Sequence, residues 1–213
     1  MKLKVCEDFF KRWSRNMAYI LGLITTDGCL VEHKNGYHGI NITSKDKELL
    51  EDVKRTMQAM HKIGKKARAY HLQIRNRVLF KDLLKLGLTP RKTRTTIFPN
   101  VPKQYVSDFV RGCFDGDGSV FIWKEPRWRH TWQIRSTFSS GSGEFIKGLR
   151  RVLHENIGLT KGYLQLRREA YELKYAITDS LALYRFMYNT NCDLYLERKK
   201  RIFESFLNSR KSL

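Results

Sequence analysis

Two stretches decide the fold: AYILGLITTDGCL at residues 18–30 and DFVRGCFDGDGSV at residues 108–120. At an offset of 90, Gly22 falls on Gly112, Asp27 on Asp117 and Gly28 on Gly118. Apolar positions coincide too: Tyr19 with Phe109, Ile20 with Val110, Ile24 with Phe114, and Leu30 with Val120. The chain therefore repeats itself, and each copy reads as an apolar helix ending at Asp-Gly.

A glycine inside a helix costs roughly 0.5–1 kcal/mol relative to alanine. Its recurrence at Gly22 and Gly112 predicts two helices packed closer than ordinary side chains allow. Gly28 and Gly118 are expected to be left-handed caps at the helix ends. Asp27 and Asp117 then occupy last turns, where a carboxylate is unfavourable by roughly 0.3–1 kcal/mol. If the helices lie parallel about a pseudo-twofold axis, the two acids converge and oppose each other's ionisation unless cations intervene. Paired carboxylates near phosphate suit a divalent metal that activates water and stabilises a leaving oxygen. Each aspartate could instead simply cap a turn. A calcium loop over FDGDGS is excluded, because Val120 stands where glycine is needed and Pro126 where glutamate is needed. Asp115 is matched only by Thr25, which gives it a structural or supporting role.

Working outward, Leu30 to His33 reads as a strand, and Asn35-Gly36 as a hairpin turn. The returning strand HGINITS (38–44) places Ile40, Ile42 and Ser44 on one face. A helix from about Asp46 to Met60 carries the stripe Leu49, Leu50, Val53 and Met57. A strand near Ala67–Ile74 and a helix at 77–87 follow, with Gly87 and Pro90 as stops. The second half repeats the order. It reads as strand VFIW, turn EPRWRH and strand TWQIRSTF, then a helix at 142–156, a hairpin from GYLQLRR and YELKYAI, and helices at 179–187 and 194–207. The expected class is α/β (mixed α+β), with two pseudo-symmetric αββαββα halves. Each half would hold a four-stranded antiparallel sheet, and the two would join through paired central helices. The halves span 1–98 and 108–213, bridged by 99–107, in one intimately packed molecule.

The 213 residues carry 41 Lys+Arg against 21 Asp+Glu, a formal charge of +20. That excess excludes an ordinary acidic-to-neutral metabolic enzyme as the default and favours a polyanionic partner. Aromatics at 12% argue against disorder. No apolar run reaches transmembrane length, no basic amphipathic surface helix suggests a membrane partner, and the charged start lacks a signal peptide's apolar middle. Cys6, Cys29, Cys113 and Cys192 are scattered and suit a reduced, intracellular compartment, with Cys29 and Cys113 as small core residues.

In a sheet with one covered face, alternate side chains reach solvent. Asn41, Thr43, His71, Gln73 and Arg75 are expected outward in the first half. Gln133, Arg135, Thr137 and Lys174 take the corresponding places in the second. Amides match adenine edges and Arg or Lys match guanine edges in the major groove. Clusters of Lys11, Arg12 and Arg15, of Lys65, Lys66 and Arg68, of Arg91, Lys92 and Arg94, and of Arg127 and Arg129 are expected at phosphates. Trp123 and Trp128 suit packing or a wedge at the sheet rim.

ILGLITTDG (20–28) and VRGCFDGDG (110–118) resemble the motif of the LAGLIDADG homing endonucleases, in the single-chain type with two copies. LGLTPRKT (86–93), the FP that follows it, and DLYLERKKRIFESF (193–206) are similar to that family's inter-repeat and last-helix patterns. The resemblance implies saddle-like sheets in the major groove. It also implies Mg²⁺-dependent cleavage of both DNA strands, with four-nucleotide 3′ overhangs and other divalent cations able to substitute. It places the metal-binding acids on Asp27 and Asp117, with Thr26 and Gly116 as backbone neighbours of the metal. The active-site lysines fall on Lys92 and Lys199, where a cation could polarise water or stabilise the transition state. Ser44 and Ser140 stand where relatives often carry a water-positioning Gln or Asn. The implied partner is a long, partly asymmetric duplex, with intron RNA as a further partner and no obligate protein partner. The rival reading is a non-cutting RNA-splicing maturase or DNA-binding regulator on the same scaffold.

Overall fold

The computed structural model describes residues 3–32, 36–90, 94–126, 131–188 and 192–211. Ser14 accepts a hydrogen bond from the Met17 amide and starts helix α1 (Arg15–Asp27). The chain passes directly into β1 (Gly28–Glu32), returns as β2 (His38–Ser44) and crosses through α2 (Lys47–Thr56). The hairpin β3 (Ile63–Lys66) and β4 (Ala69–Arg75) leads to α3 (Arg77–Lys85), whose first amides are capped by Asn76. A short 3₁₀ turn at Lys103–Tyr105 introduces α4 (Val106–Asp117). The series then repeats as β5 (Ser119–Glu125), β6 (Thr131–Ser140), α5 (Gly143–Ile157), β7 (Tyr163–Arg167), β8 (Ala170–Tyr175) and α6 (Ile177–Met187). A seventh helix, α7 (Glu197–Lys211), follows.

Each half forms a four-stranded antiparallel sheet, in orders β1-β2-β4-β3 and β5-β6-β8-β7. This is the expected mixed α/β architecture. The central helices explain the motif glycines. A Cβ on Gly22 would lie 2.2 Å from the Phe109 carbonyl oxygen, and one on Gly112 would lie 2.0 Å from that of Tyr19. Backbone meets backbone there, so the helices touch where their side chains vanish. Residues Met17 to Thr25 of α1 are all buried, because α4 covers one side and the first sheet another.

Several local expectations change. Gly28 and Gly118 are extended, at φ −103° and −79°, because a strand begins at once. Steric room accounts for them instead: a Cβ would lie 2.7 Å from Ile24 Cα or 2.4 Å from the Phe114 carbonyl oxygen. The helix expected to reach Met60 ends at Thr56, with Gln58 left-handed at φ 51°. The strand expected near Ala67 starts at Ala69, after the β3–β4 turn, where Ala67 has φ 52°. Arg168 adopts φ 55° in the matching turn between β7 and β8. Cys113 is buried as expected, whereas Cys29 is exposed. No helix among the described residues is long and apolar enough to cross a membrane. Asn35, Arg91, Lys92, Arg127, Trp128 and Arg129 lie outside the described residues.

Candidate active site

The two motif helices end side by side. A Cβ on Gly116 of α4 would lie 3.4 Å from the carboxyl carbon of Asp27 of α1, and 2.0 Å from the Thr26 hydroxyl. The last turn of one helix is thus seated against the residue that precedes Asp117 in the other. Thr26 Oγ1 bonds back to the carbonyls of Gly22 and Leu23, which holds its side chain against Gly116.

A cleft of about 390 Å³ opens beside this junction, lined by Asp27, Thr43, Ser44, Lys45, Asp46 and Gly116, with Arg198 and Lys199 from α7. The halves contribute unequally. Arg198 makes a two-pronged ion pair with Asp46, at 3.0 Å for each hydrogen bond, and so links the α7 entrance to the α2 entrance. Lys45 is exposed at the cleft and was missed by sequence reasoning. Its place after the β2 strand corresponds to Gly141 after β6, so comparing the repeats gave no signal for it.

Lys199 stands in the first turn of α7 and is 4% exposed. Its ammonium donates to the carbonyl oxygens of Phe114 (2.6 Å), Asp115 (2.8 Å), Gly116 (3.2 Å) and Gly118 (2.6 Å). A cation at a helix C-terminus meets the negative end of the dipole and the orphaned last carbonyls. Burial draws its pKa down to about 8, against the upward pull of Asp115, Asp27 and Asp117. Lys199 therefore fixes the end of the helix that carries Asp117.

Asp115, buried and matched by Thr25, explains a further asymmetry. Its carboxylate accepts from the Tyr19 hydroxyl (2.9 Å), the Tyr188 hydroxyl (3.2 Å) and the Leu196 amide (2.8 Å). It thereby ties α4 to α1 and to the segment that launches α7. Thr25 satisfies its hydroxyl on the Leu21 carbonyl, within its own helix. Burial raises the Asp115 pKa, opposed by Lys199 and by the donors from Leu196 and Tyr19.

The two serines are occupied locally. Ser44 Oγ accepts from the Asp46 amide, and Ser140 Oγ from the Ser142 amide, both at 3.1 Å, so each closes the turn into a helix. Ser44 lines the cleft; Ser140 does not. On the outward sheet face, Asn41 pairs in register with Gln73, Thr43 with His71, and Gly39 with Arg75. Arg75 and Arg68 are exposed, and the Arg75 guanidinium sits 4.9 Å above the Tyr37 ring. Gln133 and Arg135 share the corresponding face of the second sheet. Thr137 lies in the same register but is 5% exposed, between Ser119 and Lys174. Lys174 forms a 2.8 Å ion pair with Glu172.

Among the described residues, no three His, Cys, Asp or Glu side chains cluster as a complete metal cage. Asp27 lines the cleft and Asp117 ends the adjoining helix, and Mg²⁺ characteristically uses one or two carboxylates and completes its shell from substrate phosphate and water. The donor chemistry fits such an ion.

Residues 14–86 match the family model described as a LAGLIDADG-like domain. Three solved structures share the fold over nearly the whole chain. The LAGLIDADG meganuclease I-AabMI bound to uncleaved DNA is 14% identical with a TM-score of 0.66, covering 94% of this chain and 92% of that one. I-DmoI in complex with DNA and Ca is 16% identical with a TM-score of 0.62, covering 90% and 97%. The LAGLIDADG homing endonuclease I-LtrWI bound to target DNA is 16% identical with a TM-score of 0.58, covering 92% and 89%. At these identities the likeness is one of fold. The sequence has no match among curated proteins.

Proposed function

We propose that this chain, which has the two-sheet LAGLIDADG fold, is a site-specific endonuclease that cuts both strands of a long, partly asymmetric DNA duplex by metal-dependent hydrolysis. The observation that carries the reading is the seating of the Asp27 carboxyl group against Gly116, one residue before Asp117. One chain supplies both acids, so it acts as a monomer of two halves, 1–98 and 108–213, joined by 99–107.

Asp27 and Asp117 would hold Mg²⁺, or a divalent substitute, at the scissile phosphates. When bound, the ion activates water and neutralises charge on the leaving oxygen. The chain's own residues prepare the place. The Gly22–Gly112 crossing brings the helix ends together, and Lys199 and Asp115 hold the α4 end in position. Lys45 adds positive charge at the cleft mouth, where a phosphate backbone would approach, while Arg198 is held beside it by Asp46. The outward faces of the two sheets would read the groove on either side, with Asn41, Gln73, Arg75, Gln133 and Arg135 reaching base edges.

Selection of cut molecules from a randomised duplex library in Mg²⁺, with end sequencing, tests the proposal. It expects one staggered break of both strands within a single long motif, abolished by EDTA. Intact duplexes, together with tight binding to a folded RNA, would instead establish the maturase reading.

A further inference from the structure

The second sheet carries an aromatic shelf on the face turned away from the core. Along β5, Val120 is buried and Ile122 packs against the core, so Phe121 and Trp123 point to the opposite side. Phe121 is 45% exposed. The two rings lie 5.4 Å apart at 33°, and the Arg135 guanidinium from β6 sits 5.7 Å from the Phe121 centroid and 5.2 Å from that of Trp123. Phe121 and Arg135 are direct cross-strand partners. Among the described residues no carboxylate pairs with Arg135. The first half has Val31 and Gly39 at the corresponding positions, so the shelf belongs to one half only.

A guanidinium held over two rings gains cation–π attraction and loses rotamer freedom in advance. Its N–H edge stays available for a planar acceptor pair. Beside it, the Phe121 ring keeps 45% of its surface exposed, with Trp123 as its ring neighbour. The major groove presents both complements: guanine N7 and O6 for arginine, and the thymine methyl for an apolar side chain. The chain's +20 charge makes a polyanion the fitting occupant of this face, in preference to a second copy of the same basic protein.

We infer that Phe121 and Arg135, supported by Trp123, form a specificity-determining pair that reads a thymine methyl next to a guanine in one half of the target. The inference rests on the DNA-cutting reading. Phe121 lies four residues beyond Asp117, about 13 Å of extended chain, and Trp123 about 20 Å. At 3.4 Å per base step the reading therefore falls about four to six base pairs from the centre of the cut.

The test uses a duplex selected from the randomised library by binding to the full chain in Ca²⁺. Uracil then replaces thymine at each position four to six pairs from the centre. Wild type is expected to lose about three- to fivefold in affinity at one position, the value of one buried methyl. Phe121→Ala should bind both duplexes equally. Arg135→Ala should relax the guanine preference at the neighbouring pair by about tenfold or more. Selection of a duplex by wild type with no sensitivity to uracil, or unchanged preferences in both variants, would overturn this inference and leave the nuclease reading standing. Failure of wild type to select any duplex would overturn both. A fall in sedimenting mass on Phe121→Ala would show that the shelf is a contact between copies, which also overturns the inference.

Discussion

Gly112 of α4 rests on the Tyr19 carbonyl of α1 so closely that a Cβ would lie 2.0 Å from that oxygen. The reciprocal position, Gly22 on Phe109, leaves 2.2 Å. The obstructing atoms are backbone on both sides, and no side chain can swing away. Gly112→Ala and Gly22→Ala are each expected to lose at least about 2 kcal/mol in urea unfolding, despite alanine's better helix propensity. A stabilising effect would mean that the helices do not meet at these glycines.

Lys199→Met keeps the length of the side chain but removes every donor to four carbonyl oxygens at the end of α4. Leaving buried acceptors unmet costs about 1–3 kcal/mol per group, moderated by water entry. The variant should unfold at lower urea concentration by about 2–4 kcal/mol. It should also cut more slowly, because the Asp117 turn is no longer held. Unchanged stability would show that the lysine is not the anchor of that turn.

The Asp46–Arg198 pair joins the first half to the last helix, yet Arg198 is 56% exposed and Asp46 24%. Screening by water and salt keeps such pairs modest. A double-mutant cycle with alanine at both positions should give a coupling of about 1 kcal/mol or less, falling further at high salt. A coupling of several kcal/mol would contradict the solvent-screened geometry.

His61 is 4% exposed, and burial, with the nearby Arg75 charge second, holds its pKa below the ordinary 6.5. As pH falls through that value the unfolded chain takes up the proton before the folded one, so folding stability declines. Relative to His61→Phe, wild type should lose stability between pH 7 and pH 5 and hold it above pH 7. A difference independent of pH would contradict the buried neutral imidazole.

The repeat made most of this architecture legible. Gly22, Gly112, Asp27 and Asp117 announced a close helix crossing with acids at its end, because few structural needs place glycine and aspartate so expensively twice. Ile40, Ile42 and Leu72 showed the sheet faces by alternation, and all three are buried. Other features had no local signal. β3 reads IGKK, half polar and short, and its turn uses Ala67 and not glycine or asparagine at positive φ. Gly28 and Gly118 invited a cap rule that assumes the chain leaves the helix through a left-handed residue, whereas here a strand follows immediately. Lys45 and Arg198 reach the cleft through tertiary packing alone. Thr137 has the outward register but lies beneath its neighbours, which alternation cannot reveal.

The proposed cleavage needs both acids at one phosphate-facing site. Its most direct test compares Asp27→Asn and Asp117→Asn with wild type on the library-selected duplex, measuring strand cleavage in Mg²⁺ and binding in Ca²⁺. Each variant should lose at least about 100-fold in cleavage rate, about 2.7 kcal/mol of transition-state stabilisation, while its affinity stays within about threefold. Variants that cut both strands as fast as wild type would contradict the account.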